Sequence, residues 1–318
     1  MYSGSRKLIE LIRIIIVFLV ALIIIYFIIR GLVSKKFLEY SATDSARRKV
    51  LIYSAVLTLL SSLLIIYSLI GIKHRSYAPE IRETTATILA GEVMLMLPYP
   101  RSGVFVENAL LNRKSIREWS NKPISVEDLS LILWASYGVV EEIDSWFRRT
   151  SPSAGATYPM EIYVVIGERS VTTKDGFLEA GVYKYDPLRH SLKIVKRGDY
   201  RRDLYRAALE QEWVLKAPVS IVICAVYKRT TRIYGERGYR YVYMEAGHIG
   251  QNIYLMATAM GLGTVAVGAF YDDVVSRVIS SLPEEEPVYI FPVGVPAEPF
   301  INDFKRLERF YEKMRSKA

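Results

Sequence analysis

Cysteine and histidine are scarce in this chain of 318 residues, which contains one Cys and three His. Cys224 lies inside the apolar run SIVICAVY, so we interpret it as a small buried hydrophobic residue. His74, His190 and His248 are far apart in the sequence and show no ligand spacing. The sequence therefore excludes an intramolecular disulfide and a cysteine-rich metal site, and it predicts no zinc or iron centre.

A nucleic-acid-binding motif is also lacking, although the formal net charge is +9. Ten of the 42 Lys and Arg residues flank two uncharged apolar stretches near the N-terminus. Cations in such positions are attracted to anionic lipid, and elsewhere the two signs of charge are interspersed. We therefore expect no nucleic acid partner and predict contact with a lipid bilayer.

Long hydrophobic runs are concentrated at the N-terminal end. Residues 14–29 and 50–72 contain no charged side chain, and each run is long enough to form most of a membrane span. A cleaved signal peptide is the competing interpretation of the first run, but no small-x-small cleavage site follows it. The prediction is a transmembrane hairpin over residues 1–75, with spans at about 12–33 and 50–72, and hence a multi-pass membrane protein.

The side of the membrane occupied by the rest of the chain stays open. The loop between the two spans carries six Lys and Arg residues, and by the positive-inside rule it would lie in the cytoplasm. The C-terminal part would then lie outside the cytoplasm. The chemistry inferred below favours the cytoplasm instead.

The remainder of the chain is predicted to be a connector followed by one domain. Residues 76–103 contain prolines that argue against a continuous helix, and residues 104–318 show no internal repeat. Within this domain a hairpin turns at Asp186-Pro187, residues 199–213 predict one amphipathic helix, and helices alternate with strands later. The predicted fold class is α+β, with one sheet of about five strands covered by helices.

Two helices of the domain have clear sequence signals. Ser125 followed by Asp128 resembles a capping box, and the apolar residues after it have helical spacing. A longer helix is predicted over roughly Tyr239–Met260 and contains Gly247 and Gly250. Because glycine costs about 1 kcal/mol relative to alanine inside a helix, we expect another helix or a cofactor to pack closely against it.

A cluster of cations opens the domain in the stretch NRKSIREW. Arg113, Lys114 and Arg117 lie within five residues and flank Ser115. Guanidinium groups beside a hydroxyl suit a phosphate monoester, because arginine binds phosphate oxygens in a bidentate manner. The alternative interpretation is a solvated basic surface.

Small residues dominate the stretch SPSAGATYP, which precedes an apolar strand. Pro152, Ser153, Ala154 and Gly155 have little side-chain bulk, so a flat or closely packed group could approach the backbone there. A surface turn is the alternative interpretation.

The order of these stretches closely resembles that of the nitroreductase family of flavin enzymes, and within it the SagB-type dehydrogenase branch. The resemblance extends from about Leu95 to Pro296. Its motifs are LPYP, RKSIREW, ISVEDLSLILWASYG, RTSPSAGATYPMEIYVV, GVYKYDPLRHSL, YGERGYRY, EAGHIGQNIYLMATAMGLGT and FPVGVP.

This resemblance implies an FMN held between the two subunits of a homodimer. The phosphate and ribityl chain would be bound by one subunit, and the partner subunit would supply the small residues along the isoalloxazine ring. The implied cofactor-binding residues are Arg113, Lys114, Ser115 and Arg117 at the phosphate end, Pro152, Ser153, Ala154 and Gly155 along the ring, Gly268 and Ala269 on its other side, and Lys305 or Arg306 completing the phosphate site.

The catalytic residue that the resemblance suggests is Tyr234, as a proton donor. Azoline dehydrogenases of this branch use a Lys-Tyr pair, but here Ile233 precedes the tyrosine, so the lysine is absent unless Lys228 substitutes for it. His248 is interpreted as an interior or interface histidine.

The expected function is a membrane-anchored FMN-dependent oxidoreductase. Its electron donor would be NAD(P)H or a membrane quinol, and its acceptor a small molecule or a peptide. The alternative is a flavin-binding module without turnover that senses redox state or acts as a scaffold at the membrane.

Overall fold

The computed structural model describes residues 86–89, 91–99, 102–144 and 146–316. The strands are β1 Thr87–Leu89, β2 Glu92–Met94, β3 Ile124–Ser125, β4 Val139–Ile143, β5 Trp146–Arg149, β6 Met160–Ile166, β7 Val171–Thr173, β8 Gly176–Phe177, β9 Gly181–Asp186, β10 Ser191–Arg197, β11 Val219–Ala225, β12 Gly263–Thr264 and β13 Glu286–Gly294. The helices are α1 Val106–Asn112, α2 Val126–Tyr137, α3 Arg201–Ala207, α4 Glu212–Lys216, α5 Tyr227–Tyr234, α6 Arg237–Ala259, α7 Asp272–Ile279 and α8 Phe304–Arg315.

An antiparallel sheet with the strand order β1-β2-β10-β9-β6-β11-β13-β12 forms the centre of the domain. Strand β11 is buried at every position, as expected for a continuous apolar run covered on both faces. Successive residues of β6 point to opposite faces, so Ile162 and Val164 join one core cluster and Tyr163 and Val165 the other. The result is a sheet between two layers of helices.

Different helices cover the two faces of this sheet. Apolar residues of α2 and α6 pack with Ile162 and Val164. Apolar residues of α3, α4 and α7 pack with Tyr163 and Val165. The α+β class with one central sheet is therefore confirmed.

Several predicted elements are confirmed. Helix α2 begins after Ser125, whose hydroxyl accepts a hydrogen bond from the Asp128 N–H at 3.0 Å. Helix α6 corresponds to the predicted long helix, and β9 and β10 form the predicted hairpin. The five longest strands of the sheet correspond to predicted strands, and three strands of two or three residues extend it to eight. The run TVAVGAF, residues 264–270, also predicts a strand, but only Thr264 lies in one, and Val267 forms a single bridge to Ile290. Two of the short strands, β1 and β2, lie in the predicted connector.

One predicted helix is wrong. Residues 199–213 were expected to form one amphipathic helix, but the helical backbone stops at Ala207 and resumes in α4. Leu209 and Glu210 have φ angles of 54° and 57°, in the left-handed region. A right-handed helix cannot pass through two such residues, so the chain folds back between α3 and α4.

The predicted membrane spans are not supported. In the part of the chain that the structure describes, no helix is both long and apolar enough to span a bilayer. Helix α6 has 23 residues, but it carries Arg237, Arg240 and Glu245, whose charges are costly in hydrocarbon. For the described residues the fold class is therefore corrected to an α+β domain, and the predicted multi-pass localisation and bilayer partner are withdrawn. The spans predicted at 12–33 and 50–72 lie outside the described residues.

The close approach of α6 to the sheet depends on Gly250. A β-carbon added to this residue would lie 2.6 Å from Cζ of Phe291 in β13. Both residues are buried, so the aromatic ring occupies the space that a larger residue on the helix would need. The close partner of Gly250 is therefore a strand of the sheet, rather than the helix or cofactor expected from the sequence.

We expect Gly250→Ala to lower the free energy of unfolding by about 1–3 kcal/mol, because overpacking outweighs the higher helix propensity of alanine. Urea denaturation of the full chain measures this change. Phe291→Leu serves as the matched partner in a double-mutant cycle, since it removes part of the ring that the new methyl group meets. The double variant should lose less stability than the sum of the two single variants, and strict additivity would contradict this packing.

Candidate functional site

The cation segment, residues 112–117, leaves helix α1 in an extended conformation and is held by helix α6. The Arg113 Cζ atom lies 5.2 Å from the centre of the Tyr254 ring, and Ser115 Oγ is 2.9 Å from the Tyr254 hydroxyl. The backbone N–H of Ile116 donates to the carbonyl of Thr264 at 2.9 Å. Tyr254 thus positions both an arginine and the serine of this segment.

The cations of this segment lie against aromatic rings rather than carboxylates. Lys114 Nζ is 4.8 Å from the centre of the Phe300 ring, and Arg117 Cζ is 5.3 Å from that of Trp213. Within the described residues, neither they nor Arg113 form an ion pair. Their N–H donors are therefore available to an anion.

The C-terminal part of the chain lies along the cation segment. The Asn302 N–H donates to Asn112 Oδ1 at 2.6 Å, and residues 295–297 form backbone hydrogen bonds with 118–120. Helix α8 begins directly after these contacts, and the N–H of Arg306 in its first turn is capped by the preceding aspartate. The start of the helix that carries Arg306 is thus attached to the cation segment.

The small-residue turn, residues 153–158, has an unusual backbone. Gly155, Ala156 and Tyr158 have φ angles of 58°, 51° and 44°. The left-handed region is uncommon for residues other than glycine, and each such residue costs about 1–3 kcal/mol, so it persists only where the surrounding structure imposes it. Gly155 is exposed and presents backbone rather than a side chain at the surface of the turn.

Helix α5 lies beside this turn and brings Tyr234 to Gly155. A β-carbon built on Gly155 would lie 2.6 Å from the Tyr234 hydroxyl. The Thr157 and Thr230 hydroxyl groups are 2.8 Å apart and join the turn to the middle of the helix. The structure therefore brings the predicted catalytic residue and the predicted ring-binding glycine together within one chain.

Lys228 does not complete a Lys-Tyr pair. It is exposed in the first turn of α5, whereas Tyr234 is the last residue of that helix. Six residues of helix correspond to a rise of about 9 Å and place the two side chains on different sides of the axis.

A buried carboxyl group lies between helices α2 and α6. Glu245 of α6 is only 3% exposed, and its Oε1 accepts a hydrogen bond from the Tyr137 hydroxyl at 2.6 Å. Burial raises the pKa of Glu245, whereas hydrogen bonds from Ser153 and Tyr137 and the positive charge of Arg149 act to lower it. Burial also raises the pKa of Tyr137 well above its usual value, so this phenol remains a hydrogen-bond donor.

Arg149 covers the same region with its guanidinium group. Its Cζ lies 4.3 Å from the centre of the Tyr137 ring and 4.7 Å from that of Tyr158, and its backbone N–H donates to the Tyr158 hydroxyl at 3.3 Å. These contacts join the strand before the turn to the residue that ends it.

Sequence reasoning missed Glu245, although a signal was present. Val242, Ile249 and Ile253 form the buried stripe of α6, and position 245 falls on that stripe at helical spacing. A charged residue in such a stripe is buried when the helix packs, and buried charges need partners.

Helix α6 contacts the cation segment and the small-residue turn region from different sides. Asn252 Nδ2 donates to Ser151 Oγ at 3.0 Å, next to the turn, whereas Tyr254 contacts Ser115. Two residues along an α-helix correspond to a rotation of about 200°, so these side chains point in nearly opposite directions. The two segments therefore face different sides of the helix within one chain.

The predicted cofactor-binding residues Gly268 and Ala269 lie at another position on the surface. Gly268 lines a cavity of about 400 Å³ together with Tyr227 and Tyr243. The Ala269 carbonyl accepts a hydrogen bond from Gln211 Nε2 at 2.9 Å. Both Gly268 and Ala269 are exposed, as is Pro152 before the small-residue turn.

Comparison with known proteins identifies the family of this chain. The family model described as the nitroreductase family matches residues 110–295. A nitroreductase-like protein of Methanocaldococcus jannaschii is 47% identical over 189 residues, which are 59% of this chain and 90% of the relative. The microcin B17-processing protein McbC of Escherichia coli is 30% identical over 135 residues, which are 42% of this chain and about half, 48%, of McbC.

A solved structure supports the same assignment. The crystal structure of a nitroreductase-like protein from Ralstonia eutropha JMP134 superposes with a TM-score of 0.56 at 25% identity and covers 69% of this chain and 97% of that one. The family model covers more than half of the 318 residues. The chain therefore belongs to the nitroreductase family.

Proposed function

We propose that this protein is an FMN-dependent oxidoreductase that works as a homodimer. It passes hydride or electrons from NAD(P)H to a small-molecule or peptide acceptor. The observation that carries the proposal is the cation segment, whose Arg113, Lys114 and Arg117 face aromatic rings and have no carboxylate partner within the described residues. In a nitroreductase-family domain, such a donor set fits the phosphate of FMN.

The small-residue turn fits the other end of the cofactor. Its exposed Gly155 offers backbone without side-chain bulk, which suits the flat isoalloxazine ring. FMN, when bound, supplies hydride and electron transfer. The residues of the chain then have to bind the phosphate, orient the ring and supply a proton.

We assign proton supply to Tyr234. Its hydroxyl lies over Gly155, where the ring is proposed to bind, and α5 is held there by the hydroxyl contact between Thr157 and Thr230. Since Lys228 lies at the other end of α5, a Lys-Tyr pair of the azoline-dehydrogenase type is not part of this proposal.

The homodimer is supported by one face of α6. Tyr243 and Met244 are 58% and 53% exposed, and Gly247 and His248 on the next turn are also exposed. Nothing lies within 4 Å of a β-carbon built on Gly247, so packing within one chain does not explain this glycine. An exposed face with large apolar side chains beside a glycine suits a closely packed helix of a second subunit.

A dimer also explains how one FMN could contact both proposed cofactor-binding segments. Within one chain they face different sides of α6, so one FMN cannot contact both if only that chain supplies them. If the partner subunit supplies the small-residue turn, each cofactor is bound by both chains and each dimer binds two.

The acceptor is proposed only as a class. McbC is named as a protein that processes microcin B17. That name supports a peptide acceptor for this chain, and the nitroreductase-like relative supports a small molecule. The alternative is a flavin-binding module without turnover, and the next experiment distinguishes it from the oxidoreductase.

We expect the purified full-length protein to show an oxidised-flavin absorption spectrum that NADPH bleaches under anaerobic conditions. Addition of an electron acceptor should then restore the spectrum. Anaerobic titration followed by absorbance measures both steps. A bound flavin that NADPH never reduces would contradict the oxidoreductase and favour the binding module.

Arg113→Ala combined with Arg117→Ala should weaken FMN binding by about 10²–10⁴-fold, because each charge-assisted contact is worth about 1.5–3 kcal/mol. Riboflavin lacks the phosphate, so its dissociation constant should hardly change. Quenching of flavin fluorescence on binding to the apoprotein measures both constants.

The matched control is Arg189→Ala combined with Arg197→Ala, which removes the same charge from arginines paired with Glu92 and Glu179. This variant should bind FMN as the wild type does. If the Arg113 and Arg117 variant lost the same affinity for FMN and for riboflavin, the FMN phosphate would bind elsewhere.

Gly247→Glu should convert the dimer to monomers and release FMN, because it places a charged side chain in the proposed contact between the α6 helices. Sedimentation velocity measures the change in mass. Leu188→Glu, at an exposed hairpin turn, is the control and should remain dimeric. A dimeric Gly247→Glu variant that retains FMN would show that the subunits meet at another surface.

A further inference from the structure

The small-residue turn ends at Tyr158 in an unfavourable backbone conformation. Tyr158 precedes Pro159, and the residue before a proline prefers an extended backbone. The φ angle of Tyr158 is nevertheless 44°, in the left-handed region, which is strained for a residue other than glycine. Contacts with the surrounding structure must therefore hold this residue in place.

Arg229 of helix α5 supplies such a contact. Its Nη1 donates a hydrogen bond to the Tyr158 carbonyl at 3.0 Å, and its Nη2 donates to Glu161 Oε1 at 2.5 Å. Because the guanidinium group is planar and rigid, these two acceptors are fixed relative to each other. One side chain thus joins the end of the turn to strand β6.

The Glu161 carboxylate is itself held in the sheet. It lies in β6, and its Oε2 is 3.1 Å from Lys184 Nζ in the neighbouring strand β9. Lys184 also pairs with the buried Glu285 at 2.5 Å. Charges of opposite sign alternate along the row from Arg229 to Glu285, so no charge in it lacks a partner. The guanidinium group is therefore attached to the sheet as well as to the turn.

The segment 226–234, which contains helix α5, lies antiparallel to residues 155–159. Along their contacts the residue number rises in the helix as it falls in the turn. The pairs are Val226 with Pro159, Arg229 with Tyr158, Thr230 with Thr157, and Tyr234 with Gly155. Arg229 supplies the charge-assisted hydrogen bond of this series, and such bonds are roughly twice as strong as neutral ones. Its loss should therefore loosen the helix and the turn together.

We infer that Arg229 is the residue that positions Tyr234 over the small-residue turn. By bonding to the Tyr158 carbonyl and to Glu161 at once, it holds the left-handed end of the turn and helix α5 in one arrangement. The inference rests on the proposed function only for the role of Tyr234 in proton supply. The arrangement itself belongs to the protein without cofactor.

The chain contains a matched control in Arg201, the first residue of helix α3. Arg201 binds the Asp199 carboxylate through Nε and Nη2, at 3.0 and 2.6 Å. Its side chain is 25% exposed and that of Arg229 is 39% exposed, so both ion pairs are partly buried. Among the hydrogen bonds and ion pairs of the described residues, Arg201 has none with the turn or with α5. Its removal therefore measures the general effect of losing such an arginine.

The first test needs no flavin and measures hydrogen exchange of the full-length apoprotein by mass spectrometry, on peptides that cover the turn. In Arg229→Ala the amides of residues 156–158 should exchange about tenfold faster or more, while those of β11 stay protected. Arg229→Lys keeps a positive charge for Glu161 but lacks the fork that reaches two acceptors, so it should exchange nearly as fast as Arg229→Ala. Arg201→Ala should leave exchange at the turn as in the wild type.

Three results of this test would overturn the inference. They are wild-type exchange at the turn in Arg229→Ala, full protection in Arg229→Lys, and equally fast exchange in Arg201→Ala. The second would show that the charge matters without the fork, and the third would reduce the effect to general stability.

The second test measures turnover with NADPH as the donor and para-benzoquinone as the acceptor, which takes up a hydride and a proton to form hydroquinone. Arg229→Ala should lower kcat about tenfold or more, because displacing a catalytic group by about 1 Å can cost about 10²-fold. In a Tyr234→Phe background the same change should lower kcat by less than about twofold, since Arg229 acts through the Tyr234 hydroxyl. Arg201→Ala should keep the wild-type kcat.

Equal losses of kcat from Arg229→Ala in the wild-type and Tyr234→Phe backgrounds would contradict positioning of Tyr234. If the wild type binds no flavin or does not turn over, the proposed function fails, and the exchange measurement still decides the role of Arg229. If Tyr234→Phe alone retains full activity, proton supply by Tyr234 fails, and the exchange measurement again decides whether Arg229 holds the turn and the helix together.

Discussion

The arrangement of the site depends on the burial of helix α6 against the sheet. Gly250 lets the helix approach Phe291 closely, and the apolar stripe on the same side fixes its rotation. Because an α-helix is stiff, fixing its rotation also fixes every other side chain that it carries. Tyr254 is thereby directed at the cation segment and Glu245 at Tyr137, whose ring packs edge-on against Tyr158 of the small-residue turn. A single packing contact thus positions two polar regions that are far apart in the sequence.

Charge is distributed unequally between these two regions. The cations near residue 113 lie at the surface against aromatic rings, where an incoming anion can displace solvent and gain charge-assisted contacts. The Glu245 carboxyl group is buried and accepts the Tyr137 hydroxyl. The surface cations are therefore available to a ligand, whereas the buried carboxyl group is already bound within the protein.

Much of the fold could be predicted from local patterns. The cap at Ser125, the length of α6 and the hairpin of β9 and β10 follow from spacing and turn residues, which act over a few positions. The break between α3 and α4 could not be predicted, since Leu209 and Glu210 are common in helices and adopt left-handed angles here only under tertiary constraint. The membrane hairpin came from hydropathy alone, and no described helix supports it.

The amino-acid sequence by itself determined which chemical groups the domain carries: the cations around residue 113, the low-bulk stretch around Gly155 and Tyr234. It also determined the family, because those groups occur in a characteristic order. Only the tertiary structure decided that Tyr234 lies over Gly155, that Glu245 accepts the Tyr137 hydroxyl, and that α6 lies between the two segments. These relations join residues about 80 or more positions apart, and such pairs meet only through the packing of helices on the sheet.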